Sequence, residues 1–558
     1  MRDFTRQLRA GALLLVLLAV SCFVQGCAEE HTTPPQKTII QSERPSPKRQ
    51  LFWGDVQVHS ENSFGAALLG NQLSPSQVYR YARGASIQYQ GETIALARAL
   101  DFLVLADSSD NYGFFPRIKH GQDDHAMAKK WRKQLENGRG RAVAGGVLTL
   151  LRKGEFPDEL RNTPGSAAYS EAWSAGLRAA EDANEPGVFT ALIAYEWSAQ
   201  LQRPDRHARI VVYRGGADSA GQIMPYTTEP PEGGVDVLGL WEWMSYFEMY
   251  TRSRVLAIVH SRQSEHTPSF DDKLEGQAQL RRRFEPALDV TSELSIYKQA
   301  VLNCGFVGGS GALTGLTSGS QREFYGEYPS WTPQPLTLED HHQQGGGLTG
   351  VWAGENTRAE IFDAIARRET FVSTGSRMQL RVFAGWNFDE GDLSLDDIAS
   401  VGYRKGVAMG GRLPKRSADA PAFLIEVHSD PEGGDLDQLQ LLKTSIDEFG
   451  QTYHKVYTLD WAQTASRQPG SNGDVALLPL ETVKLAQRGE HVDGSDAFKV
   501  LWRDPDFDSS KPASYVVRVI EAPTRRWPFY LNNSDSLPAN ALMIRHKALS
   551  SAIGYLPQ

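Results

Sequence analysis

Four side chains that can bind a metal ion follow apolar runs of strand length in this sequence. They are His59, Asp107, Glu196 and His260, and each stands directly after such a run or within two residues of it. Two imidazoles and two carboxylates form a plausible ligand set for Zn, Mn or Fe. A single His or Asp at such a position is more often a cap or a hydrogen-bonded core residue. Their recurrence at four strand ends favours one shared site.

The first of these stretches, "WGDVQVHSENSF" at residues 53–64, is close to a metallohydrolase motif. A strand that ends in His-x-His presents two imidazoles from one face. Here Gln57 stands at the first position and His59 at the second. The stretch therefore indicates a metal motif with one ligand replaced by a residue that binds such metals weakly.

The four side chains can share a site only if the strands that carry them end at a common edge. From residue 51, near-continuous apolar runs alternate with longer helical patterns, which predicts a parallel sheet covered by helices. Several such units in succession predict an α/β protein with a closed or nearly closed (β/α) barrel. In such barrels the chemistry lies at the C-terminal ends of the strands.

The character of the sequence changes after about residue 380. Short strand patterns such as "APAFLIEVHS" and "ASYVVRVIEAP" are separated by Gly, Pro and Asp turns. We interpret residues 51–380 as the barrel domain and residues 381–558 as a β-rich domain, expected to be a β-sandwich. The pattern "NTRAEIFDAIARRET", near the end of the first domain, predicts a helix. Thr357 and Glu360 predict a capping box at the start of this helix.

The N-terminus resembles an export signal. Three arginines precede the apolar run "GALLLVLLAVSCFV", and Gly26 precedes Cys27 as in a bacterial lipoprotein cleavage box. We expect residues 1–26 to be removed and Cys27 to be lipidated; ordinary cleavage nearby, with Cys27 incidental, is the alternative. The polar residues 27–50 then form a tether. The expected location is the bacterial cell envelope, with the lipid in the outer membrane.

Charge and cysteine content exclude some partners and a disulfide framework. The net charge is −9 and no long basic block occurs, so nucleic acid is not an expected partner. Three cysteines, of which Cys304 alone would remain free after cleavage and lipidation, do not form a disulfide framework. The expected partners are a small anionic ester substrate or a surface ligand, and a membrane reached through the lipid anchor only.

A set of segments resembles the bacterial family DUF3604, which is similar to the polymerase-and-histidinol-phosphatase (PHP) superfamily of metallohydrolases. The segments are "LFWGDVQVHSENSF", "LDFLVLADSSDNYG", "LIAYEWS", "AIVHS", "GFVGGSGALTGL", "GGLTGVWAGENTRAEIFDAIARRETFVSTGSRM", "KGVAMGGRLP", "DLDQLQLLK" and "DPDFD…YVVRVIEAPTRRW". The resemblance runs from about residue 51 to near the C-terminus. It implies a PHP-like distorted barrel, a cluster of two or three metal ions, and hydrolysis of phosphate or similar anionic esters.

The sequence departs from the family pattern at four expected ligands. Gln57 replaces the first His of His-x-His, and Ser108 replaces the His of an Asp-His pair. Near the fifth strand the pattern has Asp-x-His, where this chain has Gly311-Ala312-Leu313. A two-metal mechanism needs several ligands for each of two ions about 3.5–4 Å apart, so a full cluster is not expected.

Two functions from different classes remain open. In the first, His59, Glu196 and His260 hold one divalent Zn, Mn or Fe ion, and Asp107 orients or activates water for attack on a phosphate or sulfate ester. Asp107, Asp110 or Glu293 could complete the ligand set. In the second, the chain binds no metal and is a pseudoenzyme that holds a ligand or partner at the cell surface. The four missing ligands favour impaired catalysis.

Three further residues are candidates for substrate binding. They are Arg377 in "STGSRM" and, in "WAGEN", Trp352 and Glu355. An arginine at a strand start could hold an anionic group, although a surface ion pair is the alternative. Trp352 could equally be a packing residue.

Overall fold

A large mixed sheet organises the part of the chain that the structure describes. The computed structural model describes residues 48–198, 208–230, 233–260, 275–290, 304–317, 347–415, 419–463, 467–470, 474–479, 494–526 and 542–557. The predicted signal, Cys27 and the tether up to residue 47 lie outside these residues. The last tether residue, Gln50, is the first residue of a strand.

Helices cover the sheet and fill the connections between strands. The α-helices are α1 (Phe64–Leu68), α2 (Pro75–Ala82), α3 (Phe114–Lys119), α4 (Ala126–Glu136), α5 (Gly140–Lys153), α6 (Ala167–Ala183), α7 (Ala217–Ala220), α8 (Val237–Thr251), α9 (Glu275–Phe284), α10 (Arg358–Arg367), α11 (Glu390–Leu393) and α12 (Ile398–Lys405). Within the described ranges, none of the helices has the length and apolar character needed to span a bilayer.

The strands follow the order of the chain. They are β1 (Gln50–Val58), β2 (Ile87–Tyr89), β3 (Glu92–Ile94), β4 (Phe102–Leu105), β5 (Thr190–Trp197), β6 (Ala208–Tyr213), β7 (Val255–His260), β8 (Ala287–Asp289), β9 (Gly305–Val307), β10 (Leu348–Ala353), β11 (Thr370–Ser373), β12 (Gln379–Gly385), β13 (Gly406–Ala408), β14 (Arg412–Leu413), β15 (Ala422–His428), β16 (Leu436–Ile446), β17 (Thr452–Trp461), β18 (Ala497–Arg503), β19 (Ala513–Glu521), β20 (Thr524–Arg525), β21 (Met543–Ile544), β22 (Lys547–Ser550) and β23 (Ile553–Tyr555).

The main sheet is curled and mostly parallel in its N-terminal half. Its path is β14-β23-β19-β22-β11-β10-β1-β4-β5-β6-β7-β8-β9, and β1, β4 and β5 are parallel neighbours, as are β7, β8 and β9. Strand β6 lies antiparallel between β5 and β7. Beyond β9, Ala312 forms a parallel bridge with Val58. The protein is therefore a mixed α/β protein whose large sheet curls back toward its first strand as a half-barrel.

Buried apolar residues explain why the strands read as continuous apolar runs. On one face, side chains from five strands are fully buried in one cluster, namely Val56, Val104, Leu192, Ile210 and Ile258. The alternate residues of these strands pack against helices such as α2 and α6 in a second cluster. A strand that is buried on both faces must be apolar along its whole length.

The region after residue 380 is rich in strands, as predicted, but its strands belong to two sheets. Strands β16, β17, β19, β22 and β23 continue the main sheet, because Phe371 of β11 pairs with Ser550 of β22. Strands β13, β12, β15 and β18 form a separate four-stranded sheet. The rings of Phe423 and Tyr515 join the two sheets with centroids 4.7 Å apart. The β-sandwich and the boundary at residue 380 stay predictions.

The turn at Ser373–Arg377 divides the segment "FVSTGSRMQLRVFAGW" into β11 and β12, which belong to different sheets. The capping box predicted from Thr357 and Glu360 needs correction. The capping box of α10 is half formed. Glu360 N–H donates to Thr357 Oγ1 at 3.3 Å, but the Glu360 carboxylate accepts from Gly354 N–H.

Candidate functional site

The end of β1 is shaped by a bulge and by one buried carboxylate. The pairing of β1 with β4 shifts register between Asp55 and Val58. Asp55 accepts hydrogen bonds from Gln57 N–H at 2.9 Å, from Ser310 N–H at 3.0 Å and from Thr317 Oγ1 at 2.7 Å. Burial raises the pKa of the Asp55 carboxyl to about 6, against these hydrogen bonds. Asp55, which the sequence analysis did not single out, joins the bulge to the segment after β9.

Three polar residues meet at the C-terminal ends of β1 and β5. Gln57 Nε2 donates to Glu196 Oε2 at 3.2 Å, and His59 Nε2 lies 3.8 Å from the same oxygen. Ser63 Oγ lies 3.3 Å from His59 Nδ1 and 3.0 Å from Ser108 Oγ. Ser108 forms a bridge with Glu196 between neighbouring strands. We call Gln57, His59 and Glu196 the first mouth group.

A second pair lies at the ends of β7 and β8. His260 Nδ1 is 3.1 Å from Asp289 Oδ2, and both side chains are buried. The parallel register places these two residues side by side. Asp289 was missed in the sequence, although it closes the short run "PALD" just as His260 closes "VLAIV". Glu293, which was considered as a ligand, lies outside the described residues.

Gly309 connects the first mouth group to the pair of His260 and Asp289. Its N–H lies 3.3 Å from Asp289 Oδ1, to which it donates. A β-carbon added to Gly309 would lie 2.6 Å from Gln57 Cβ and 2.9 Å from Gln57 N. The segment after β9 therefore passes against β1 with no room for a side chain. His59, Glu196 and His260 therefore all lie at the same end of the curled sheet.

Substituting Gly309 tests this close approach. We expect Gly309→Ala to lower the free energy of unfolding by about 2 kcal/mol, because the added methyl group overpacks β1. Urea denaturation measures the change. Gly145→Ala is the matched control, because nothing lies within 4 Å of a β-carbon at Gly145 in the helix α5. If both variants unfold at the wild-type midpoint or above it, the segment is not packed against β1 as described.

The Asp107 carboxylate accepts two hydrogen bonds from Ser60. Its Oδ1 accepts from Ser60 N–H at 2.5 Å and its Oδ2 from Ser60 Oγ at 2.6 Å. Because Ser108 bridges to Glu196, the alternation of side chains along a strand directs Asp107 to the opposite face. Burial raises the pKa of the Asp107 carboxyl to about 7. In this arrangement Asp107 connects the ends of β1 and β4, and its role in orienting or activating water stays a prediction.

The Asn71 side chain joins the segment that contains His59 to the segment that contains Leu313. Its Nδ2 donates to His59 O at 2.9 Å and to Leu313 O at 2.8 Å, and its Oδ1 accepts from Leu73 N–H. Leu313 stands where the resemblance described above implies a histidine. Its main chain is thus kept in place even though its side chain cannot bind a metal.

Two of the three predicted substrate-binding residues, Arg377 and Trp352, donate hydrogen bonds to main-chain carbonyl groups. Arg377 Nη2 donates to the carbonyl oxygens of Arg98 and Ala99 at 2.7 and 2.9 Å. Trp352 Nε1 donates to Leu380 O at 3.0 Å. Glu355 is exposed in the turn before α10. Among the described residues, none of the three has a hydrogen bond to the first mouth group or to His260.

The residues present do not fit a multi-metal centre. In the described ranges, no group of three or more His, Cys, Asp or Glu side chains is arranged to hold a metal ion. Gln57 Oε1 is buried and has no hydrogen-bond partner there, so one oxygen of this end of the sheet is unsatisfied. An amide oxygen is a weak ligand for Zn-class ions.

Taken together, the chain is a mixed α/β protein with a curled sheet and polar residues collected at the strand ends of that sheet. It belongs to the family described as "Protein of unknown function (DUF3604)", whose sequence profile matches residues 46–294 and 295–557. Comparison with curated protein sequences gives no match.

One solved structure has a weak likeness. It is a two-domain protein from Bacteroides vulgatus ATCC 8482 whose description reads "containing predicted PHP-like metal-dependent phosphoesterase". The identity is 11% and the TM-score 0.31, over 82% of this chain and 97% of that chain. No conclusion about activity follows from a likeness of this size.

Proposed function

We propose that this chain is an exported, lipid-anchored cell-envelope protein whose PHP-like barrel has impaired hydrolase activity. The class of ligand is a small anionic ester of the phosphate or sulfate type, bound at the end of the curled sheet. Localisation rests on the N-terminal sequence, and the ligand class rests on the family resemblance.

The observation that carries the proposal is the hydrogen bond from Gln57 Nε2 to Glu196 Oε2 at 3.2 Å. Where the family pattern has a histidine that could donate a lone pair to a cation, this chain has an amide N–H that donates to the carboxylate. A hydrogen bond thus takes up an oxygen that a metal ion would need.

Losing the ligands has a direct chemical consequence. A two-metal hydrolase activates water and stabilises the leaving oxygen through ions that several ligands hold. Ser108 and Leu313 cannot supply the missing imidazoles, and Gln57 supplies only an amide. The remaining polar groups can still orient a bound anion through hydrogen bonds, but they offer no strong Lewis acid. Binding is therefore retained while hydrolysis is reduced.

A one-ion hydrolase is the second candidate, and one observation favours it. The imidazoles of His59 and His260 are both contacted at Nδ1, by Ser63 and by Asp289. Metal-binding histidines commonly have such a partner on the other ring nitrogen. His59 Nε2 and Glu196 Oε2, 3.8 Å apart, are close enough to bind one ion together.

Metal content decides between the two candidates. We expect protein purified without residues 1–26 and exchanged with Zn²⁺ or Mn²⁺ to retain well below one equivalent of metal, and to hydrolyse neither p-nitrophenyl phosphate nor p-nitrophenyl sulfate. Gln57→His is expected to raise metal retention, because it rebuilds His-x-His. Gln88→His, at an exposed position of β2, is the matched control and should not. One tightly held equivalent in the wild type, lost in His260→Ala, would establish the one-ion hydrolase instead.

A further inference from the structure

A cavity of about 140 Å³ lies among α1, α3 and α4, and Asn71 is the one residue that it shares with the candidate site. We call it the helix cavity. Its lining consists of Glu61, Ala67, Asn71, Gln72, Phe115, Lys119, Arg132, Leu135 and Glu136. All of these residues lie within the ranges that the structure describes. It lies beside the end of the curled sheet, because Asn71 lines the cavity and also donates a hydrogen bond to His59 O.

The inner wall of the helix cavity is apolar. Ala67 and Phe115 are buried, and Leu135 is half-buried on α4. Phe115 belongs to an aromatic cluster, with its ring centroid 5.1 Å from that of Phe114, so this wall is rigidly packed. An apolar cavity of roughly 150 Å³ is large enough for benzene. The size therefore suits one aromatic ring or a short acyl chain.

The rim of the helix cavity carries the cation Arg132, whose charge also acts on the exposed Asp124 carboxylate. Arg132 is half-buried, and in the described residues its guanidinium has neither a hydrogen bond nor an ion pair. The other charges are accounted for. Lys119 Nζ lies 3.8 Å from Glu61 Oε2, and Glu136 is exposed, so water hydrates its carboxylate. A half-buried guanidinium that has no hydrogen-bond partner and lies beside an apolar wall is suited to a planar anion that binds in a bidentate way.

We propose that the helix cavity binds a small apolar carboxylate, with the ring or acyl chain against Phe115 and Leu135 and the carboxylate on Arg132. This site is separate from the proposed function, which concerns the mouth residues. Neither the size nor the charge argument depends on metal content or on hydrolysis. Failure of one proposal therefore leaves the other standing.

Benzoate and benzylammonium are the probes, because they share a ring and differ in charge. Isothermal titration calorimetry on the protein without residues 1–26 measures both. We expect benzoate to bind at least roughly tenfold more tightly than benzylammonium, since a charge-assisted hydrogen bond contributes about 1.5–3 kcal/mol. Arg132→Gln should remove this preference. Lys133→Gln is the matched control, since it makes the same charge change on α4 at a position that does not line the cavity.

Filling the apolar wall is the second arm. Ala67→Leu should abolish binding of both probes by occupying the space, and its thermal unfolding midpoint, measured in parallel, shows whether the variant is folded. A folded Ala67→Leu that binds benzoate as the wild type does would overturn the proposal. Equal affinities for benzoate and benzylammonium, no benzoate binding at millimolar concentration, or an equal loss in Arg132→Gln and Lys133→Gln would also overturn it.

Discussion

Asp107→Ala is expected to lower the free energy of unfolding by about 4 kcal/mol, because the N–H and the hydroxyl of Ser60 both lose their buried acceptor. The side chain of Asp107 is 1% exposed, so water cannot replace it without rearrangement. The measurement is chemical denaturation with a constant slope against denaturant, where the shift of the midpoint reports stability.

Two controls separate this structural role from the catalytic one. Asp107→Asn keeps an acceptor for Ser60 N–H, so we expect a loss of only about 1 kcal/mol. Asp124→Ala removes a fully exposed carboxylate that pairs with Lys129, and its midpoint should not change. An Asp107→Ala protein as stable as the wild type would show that the contacts with Ser60 contribute nothing. If Asp107→Asn is stable but loses a measurable hydrolase activity, the role predicted from the sequence is correct.

The second large effect is a loss of stability as pH rises, to which Glu521 contributes. Glu521 is completely buried in β19, and burial raises the pKa of its carboxyl to about 8. The nearby Asp430 carboxylate adds to this shift, while the hydrogen bond from Gly434 N–H at 2.8 Å opposes it. In the unfolded chain the group ionises near its ordinary pKa of about 4.3.

The direction follows from where the proton is bound. Between these two pKa values the folded protein keeps the proton and the unfolded chain has released it, so stability decreases as pH rises. One such group changes the free energy of unfolding by about 1.4 kcal/mol per pH unit in that window. The contribution is fully present below about pH 4.3 and is lost as the pH passes through 8.

Glu521→Gln isolates this contribution, since the amide is of similar size and does not ionise. We expect its stability to fall less steeply than that of the wild type between pH 5 and pH 8, as measured by urea denaturation at several pH values. Asp55 and Asp107, with pKa values raised to about 6 and about 7, remain in the variant and keep part of the slope. Identical slopes in both proteins would show that Glu521 is ionised in the fold.

Much of the secondary structure could be predicted because local patterns determine it. The apolar runs at residues 51–58 and 255–259 correspond to β1 and β7. A strand that is buried on both faces is apolar along its length, and such a run is recognisable in the sequence. The helix α6 begins at the residue after Ser166, whose hydroxyl accepts from Tyr169 N–H as an N-cap. These features depend on residues a few positions apart.

The candidate site could be predicted only in part. His59, Glu196 and His260 were predicted from the apolar runs before them, and each lies at the end of its strand or directly after it. Their role as ligands stays a prediction. The direction of Asp107 could not be predicted, because one residue along a strand turns a side chain to the other face. Asp289 was missed because its strand has only three residues, too short to give a periodic signal.

The sequence by itself determined the family and the apolar strands, because each depends on residue types and on their spacing along the chain. Only the tertiary structure decided that β6 runs antiparallel, that β22 extends the main sheet, and that Gln57 hydrogen-bonds to Glu196. The physical reason is that these contacts join residues separated by up to 179 positions in the chain, as Phe371 and Ser550 are. Their pairing depends on packing of the whole sheet, which no local pattern contains.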